Sequence, residues 1–215
     1  MSKSIAVFGL GRFGKSLALS LYETGVQVMV VDKNESIIEN ISDKVTYAVI
    51  ADLTNPDDIK GIGLEDIDIV VVAMGSDLTA SIMSIMVSKE LGVKQVIAKA
   101  SDERMGSILS KVGADRILYP EEESGSRTAR ILTSDNFMEF FDIDDNLCLL
   151  EMKPKKEWVG KTLMELNLRK MYKINVVAIK GHNGMKSYID PTRKLEENNN
   201  LLVVLDKNDL KLLNK

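Results

Sequence analysis

The stretch from Ser4 to Glu23 constrains this chain more than any other. Ser4-Ile-Ala-Val-Phe8 is a short apolar strand, Gly9-Leu-Gly-Arg-Phe-Gly14 follows without a break, and Lys15 to Glu23 carries helical periodicity. Strand, glycine loop and helix in this order give the G-x-G-x-x-G spacing a physical meaning. Gly9 allows the tight turn, Gly11 lets backbone approach a phosphate group, and Gly14 lets the helix pack close on the strand. The helix N-terminus presents free N–H groups and partial positive charge to an anion. About twenty residues on, where such a site needs a carboxylate, Val26-Gln-Val-Met-Val-Val31 forms a second strand and Asp32 ends it. Asp32 can accept from two ribose hydroxyls, and its charge would repel a 2′-phosphate. The first half of the chain reads as an adenine-nucleotide site.

Strand and helix signals alternate to residue 120. Strands are expected at Thr46–Ile50, Ile67–Ala73, Lys94–Ala98 and Arg116–Tyr119. Helices are expected from Asn55-Pro56, over Asp77–Leu91 with Gly92 as terminator, and over Glu103–Val112. With the first two strands this is α/β: a doubly wound parallel, Rossmann-type sheet with its ligand at the strand carboxyl ends. Residues 1–121 form this domain. Residues 122–146 read as a crossover helix, from Glu122 to Phe141, and a linker, Asp142–Asn146. The helix carries Phe137, Phe140 and Phe141, which either pack under the second domain or form a dimer interface. Residues 147–215 read as a small α+β C-terminal domain. Its strands are Leu147–Met152, Ile174–Lys180, a hairpin partner at Met185–Ile189 after a Gly181-His-Asn-Gly184 turn, and Leu201–Leu205. Its helices are Gly160–Leu166 and Lys207–Leu213.

Composition narrows the function. An apolar fraction of 45% and a charged fraction of 28% are ordinary for a globular protein. A net charge of −4 leaves no basic excess to displace phosphate counterions, so broad nucleic-acid binding is not expected. The single cysteine, Cys148, sits in an apolar run and reads as a buried strand residue in a reducing cytosol. The first strand begins too early for a signal peptide, and no apolar run approaches the ~20 residues of a membrane span. The reading is cytoplasmic, with any membrane role arising through a partner.

The glycine loop alone does not separate NAD(H) from ATP, ADP or AMP. Arg12 at the loop tip would give a terminal phosphate a bidentate partner; the alternative is a solvated surface arginine. Asp52, ending the third strand, could accept from an exocyclic amine of adenine, or simply hold the turn before Thr54-Asn55-Pro56. Hydride transfer usually wants a positioned acid or base. The one histidine, His182, falls in the expected hairpin turn, and Lys99 lacks a partner group in the sequence pattern. A NAD(H)-binding redox sensor or oxidoreductase therefore stands as the alternative.

Gly9–Gly14, Val31-Asp32, Ala51-Asp-Leu-Thr54, Ile97-Ala-Lys99 and Val112 through Pro120-Glu121 run in the order seen in the RCK proteins (regulators of potassium conductance), cytosolic regulatory subunits of Ktr and Trk potassium uptake systems. Trp158-Val-Gly-Lys161 through Leu166-Asn-Leu-Arg169 resembles the start of that family's C-terminal domain. The single N- and C-domain pair resembles the KtrA type rather than the duplicated TrkA type. The resemblance implies homodimers assembling into a ring, commonly an octamer, beneath a membrane potassium channel or transporter. It implies ATP or ADP in the N-domain, at Gly9, Leu10, Gly11, Arg12, Phe13, Gly14, Asp32, Lys33, Asn34, Asp52, Leu53, Met74, Gly75, Ser76, Lys99, Met105 and Glu121. Arg12 would reach a γ-phosphate, often a neighbouring subunit's, and Glu121 would lie near the phosphates. A carboxylate ~4 Å from a phosphate oxygen costs roughly 4 kcal/mol at an effective dielectric near 20. Glu121 would therefore call for Mg²⁺, Ca²⁺ or Na⁺ between them; otherwise it is one of the acidic residues that favour a helix's first turn. The resemblance also implies a cyclic di-AMP site in the C-domain, at Leu168, Arg169, Asn175, Val176 and Pro191.

Overall fold

The computed structural model describes residues 3–182 and 184–213. They divide into two compact units, the first ending at Glu121 and the second starting at Glu122.

Six strands build the sheet of the first unit: β1 (Ser4–Phe8), β2 (Gln27–Asp32), β3 (Tyr47–Ile50), β4 (Ile69–Val72), β5 (Gln95–Lys99) and β6 (Arg116–Leu118). Their order is β3-β2-β1-β4-β5-β6, and every pairing is parallel. The two βαβ halves of this unit thus meet between β1 and β4, where the strand order reverses and a crevice opens at the carboxyl ends. The central strands read as unbroken apolar runs because both faces are covered. Phe8, Val31 and Val72 pack into a core on one face, while Val7, Val28 and Val30 pack into another. That is the two-residue period of a strand buried on both sides.

The helices are α1 (Arg12–Glu23), α2 (Glu35–Glu39), α3 (Pro56–Lys60), α4 (Leu78–Glu90) and α5 (Glu103–Val112). The last four share one device. Asn34, Asn55, Asp77 and Asp102 each accept a backbone N–H of the first turn with the side chain, satisfying donors that the helix cannot. α1 starts differently. Gly11 at its N-cap offers no side-chain bond, and its first turn holds no acidic residue.

From Pro120 the structure departs from the sequence-based expectation. Helix α6 (Pro120–Ile131) ends ten residues before Phe141, and Phe137 opens a strand, β7 (Phe137–Asp142). Thr133-Ser-Asp-Asn136 supplies the turn chemistry that stops the helix, and the aromatic run that follows suits a pleated surface. β7 pairs antiparallel with β8 (Leu147–Met152). Phe137 and Phe140 fill the core of the second unit beside Cys148, Leu150 and Trp158, and only Phe141 is exposed. Of the two sequence-based readings, Phe137 and Phe140 follow packing with the second domain, from a strand rather than a helix. The expected linker is instead the β7–β8 turn. Asp144 there accepts N–H bonds from Asn146 and Leu147, both at 2.7 Å, while Asp142 takes Arg130 at 2.7 Å and Lys207 at 2.5 Å.

The remaining strands are β9 (Asn175–Gly181), β10 (Gly184–Lys186) and β11 (Asn200–Asp206), giving the antiparallel order β10-β9-β11-β8-β7. β10 ends three residues short of the expected Ile189. Asn183, in the expected turn, lies outside the described residues. Short helices α7 (Leu163–Leu166) and α8 (Leu168–Tyr172) precede β9, and a 3-10 turn, Lys207–Asp209, leads into α9 (Leu210–Leu213). Trp158 and Tyr172 meet edge to face at 5.0 Å. Cys148 is buried as expected, and desolvation pushes its thiol up to about 11, so it stays protonated and unreactive at neutral pH.

Phe140→Ala should destabilise the second unit by about 3–5 kcal/mol, the usual cost of emptying a buried phenylalanine site. Phe141→Ala should cost less than about 1 kcal/mol. Denaturant unfolding followed by Trp158 fluorescence checks the difference. Equal costs would contradict the strand assignment.

Candidate functional site

The cleft begins with the glycine loop. Gly9 adopts φ +87°, a left-handed conformation open to glycine, and a Cβ there would lie 2.4 Å from Met74 Cγ. Its N–H donates to the Val31 carbonyl at 2.8 Å, carrying the chain from β1 towards β2. Gly14 permits the closest approach, since a Cβ on it would lie 2.0 Å from the Gly9 carbonyl oxygen. Gly11 is different again. Its φ of −61° suits any residue, and a Cβ would meet nothing within 4 Å. The fold itself does not require glycine at this position.

Asp32 closes the loop from the other strand. Its Oδ2 accepts the Leu10 N–H at 2.7 Å and its Oδ1 the Asn34 N–H at 3.0 Å. A carboxylate has about four acceptor sites, so lone pairs remain for hydroxyl groups. Asp52 is held by its own turn: Oδ1 accepts the Thr54 N–H at 2.9 Å and hydroxyl at 2.8 Å. These bonds, the backbone one foremost, keep its carboxyl below the usual range. The turn-holding role is thus the one its hydrogen bonds fill, with Oδ2 left over.

Around these residues lies a cavity of about 670 Å³, within the range of small-molecule and cofactor sites. The sequence-predicted Gly9, Leu10, Gly11, Asp32, Lys33, Asp52, Leu53, Met74, Gly75, Ser76, Lys99 and Glu121 all line it. Five others do not. Arg12 is exposed at the start of α1; Gly14 sits behind the loop against Gly9; Asn34 caps α2. Met105 is buried in the sheet core, and Phe13 lies under the Lys99 ammonium, 5.7 Å from ring centroid to Nζ. The sequence reading missed wall residues including Ala51, Thr54, Ala73, Asp77, Ala80 and Ser101. Three of these are alanines, whose contribution is the room they leave.

The opposite end of the cleft is set by Lys99 and Glu121. Lys99 ends β5, and its stem crosses Gly75, with Cε 3.0 Å from where a Cβ there would lie. Its ammonium donates to Glu121 Oε1 at 2.5 Å, the lysine side chain 13% exposed and the glutamate 70%. The lysine bond is the main reason the Glu121 carboxyl titrates below its ordinary value. Among the described residues, no group of three His, Cys, Asp or Glu is placed to hold a metal ion. The one carboxylate expected to meet a cation already has an ammonium partner. These residues do not by themselves form a metal centre.

In the second unit, Arg169 Nε donates to Asn175 Oδ1 at 2.7 Å on the surface. Leu168, in contrast, is buried in the core, and Val176 packs partly against that core. The Pro191 carbonyl accepts the Met164 N–H of α7. Arg169 and Asn175 are brought together; Leu168 does not face out with them.

A six-stranded parallel sheet with a glycine-loop cleft at its switch point defines a Rossmann-type nucleotide-binding protein carrying a small antiparallel second domain. Residues 5–120 match the TrkA-N domain family and residues 149–215 the TrkA-C domain family. The chain is 35% identical over 217 residues to the Ktr system potassium uptake protein C of Bacillus subtilis, covering 100% of this chain and 97% of the relative. It is 35% identical over 213 residues to the Ktr system potassium uptake protein A of Vibrio alginolyticus, covering 99% and 96%. Its fold is shared with the GsuK RCK domain at a TM-score of 0.67 and 17% identity, covering 100% of this chain and 47% of that one. The chain belongs to the TrkA-N/TrkA-C family of RCK proteins, of the KtrA/TrkA type. No helix among the described residues is long and apolar enough to cross a membrane.

Two glycine variants separate fold from site. Gly14→Ala forces its Cβ onto the Gly9 carbonyl and should cost about 1–3 kcal/mol or more. Gly11→Ala should leave unfolding unchanged within about 0.5 kcal/mol while weakening nucleotide binding; thermal unfolding and calorimetry check both. In Lys99→Met, the Glu121 carboxyl should titrate higher, nearer its ordinary value. An unchanged midpoint in carboxyl-carbon NMR would show that Lys99 is not the cause of its lowered value.

Proposed function

We propose that this chain is a non-catalytic regulatory subunit of a potassium uptake system, which senses ATP and ADP in the cleft of its first unit. One observation carries the reading. α1, the one of α1–α5 that has no side-chain cap, starts at a glycine loop lining the cleft, and Asp32 lines the same cleft. Phosphates would take the N–H groups of the α1 start and the loop. The ribose hydroxyls would use the remaining lone pairs of Asp32. The base would enter the wall that includes Leu53 and Ala80, with Asp52 Oδ2 at its edge. Its kinship with the Ktr proteins supports potassium uptake as the process served.

Copies of the chain assemble as dimers into a ring, an octamer in this reading, docked on a membrane channel or transporter from the cytoplasm. Arg12, exposed and off its own cleft wall, then serves a terminal phosphate held by a neighbouring copy. A cyclic dinucleotide such as cyclic di-AMP would meet the Arg169–Asn175 pair in the second unit. The strand order equally suits NAD(H), which makes a redox-sensing subunit the competing reading.

Equilibrium binding of ATP, ADP, NAD and NADH, with and without Mg²⁺, tests the proposal. Micromolar ATP and ADP binding with weak NADH is expected; tight NADH binding with weak ATP would transfer the cleft to the redox reading. Asp32→Asn keeps one oxygen for the Leu10 N–H but loses charge and acceptor capacity. It should weaken ATP and ADP alike, by about ten- to a hundredfold, the cost of one charge-assisted hydrogen bond. A loss confined to ATP would contradict the ribose role.

A further inference from the structure

We propose that Lys99 exchanges partners: it holds Glu121 while the cleft is empty, and turns to the terminal phosphate of a nucleoside di- or triphosphate when one enters. Glu121 is the second residue of α6, so the exchange frees that helix's first turn. The proposal rests on the nucleotide reading above and adds the step by which an occupied cleft acts on the rest of the chain.

The geometry places Lys99 between two claims on its charge. Its backbone is fixed at the end of β5 by pairing with Leu118, and its stem lies across Gly75, where a Cβ would press on Cε at 3.0 Å. Most of the side chain is enclosed. The ammonium sits 5.7 Å from the ring centroid of Phe13, a first-turn residue of α1, and Lys99 lines the same cleft as Gly11 at the α1 N-cap. The same ammonium holds the Glu121 carboxylate at 2.5 Å.

The two partners are unequally buried. Lys99 is largely withdrawn from water and needs an anion close by. Glu121 is mostly solvent-exposed, and an exposed carboxylate rehydrates at small cost. The cleft wall also carries Asp32, Asp52 and Asp77 against the two lysines Lys33 and Lys99. An entering polyanion therefore needs the Lys99 charge more than Glu121 does. A phosphate also brings more charge than a carboxylate and can bind the α1 N–H groups at the same time. The other possible outcome is bridging, because an ammonium has three donors and could hold phosphate and Glu121 together.

A double-mutant cycle on ADP affinity, measured by calorimetry without divalent cations, separates the two. The variants are Glu121→Gln, Lys99→Met and the double substitution. If Lys99 leaves Glu121, removing the glutamate charge both relieves repulsion and abolishes the pair that ADP must break. Glu121→Gln should then tighten ADP by a larger factor with Lys99 present than in the Lys99→Met background, the ratio of the two factors being about threefold for a pair this exposed. If Lys99 bridges, it also screens Glu121, and the gain will be equal or larger in the Lys99→Met background; that result overturns the proposal. Amide hydrogen exchange over residues 120–131 gives the second readout. ADP should raise exchange there, and adenosine, which lacks phosphate, should not. No change with ADP, or the same change with adenosine, would overturn the release of α6. Wild-type protein that fails to bind ADP would defeat the nucleotide reading itself and this proposal with it, whereas ADP binding without the expected coupling would defeat this proposal alone.

Discussion

The contact between Gly14 and the Gly9 carbonyl governs the rest of the first unit. With no side chain at residue 14, α1 comes within backbone distance of the turn that leaves β1, and the helix start is carried to the carboxyl end of the sheet. The Gly9 N–H bond to Val31 and the Leu10 N–H bond to Asp32 then tie the loop to β2. The loop is thereby fixed at both ends before any ligand arrives. A ligand that uses its N–H groups need not bear the entropy of ordering it, which is how preorganisation becomes affinity.

That dependence explains why so much was legible in the sequence. The glycine spacing, the unbroken apolar strands and the carboxylate ending β2 are local signals, and each has one geometrical use. Strand edges moved by a residue or two, as Thr46 and Tyr119 show, because pairing rather than propensity ends a strand. The misread segment shows the limit. Phe137, Phe140 and Phe141 have i, i+3, i+4 spacing and so imitate a helix face. A bulge between Phe137 and Glu139 in the pairing with β8 breaks the strict alternation that would have marked a strand. The deciding contact, with a strand ten residues further on, is not carried by periodicity.

Within the site, the differences have separate physical causes. Gly9, Leu10 and Gly11 of the motif line the cleft while Arg12, Phe13 and Gly14 lie off its wall, and Asn34 and Met105 are turned away by the demands of a helix cap and a core. Ala51, Ala73 and Ala80 were missed because small side chains at strand ends and helix starts carry no chemical signal. Asp32 and Asp52 show a related point. Each was identified as a ligand residue, and each also holds local backbone, so a carboxylate in such a cleft serves structure before it serves recognition.

This double use limits where discrimination among adenine nucleotides can arise. The base and ribose are common to ATP, ADP and AMP, so the contacts assigned to Asp32, Asp52 and Leu53 bind all three with the same groups. A ligand shifts a conformational equilibrium only by the difference in its contacts with the two states. Any response that depends on phosphate number must therefore begin at the phosphate end, where the α1 start, Lys99 and Glu121 converge. Lys33 also lines the cleft, but Lys99 is the lysine whose ammonium already bonds a helix leading out of the first unit. An added phosphate that draws on this charge changes what holds α6. An added phosphate that does not is bound without consequence for that helix, however tightly the nucleotide is held.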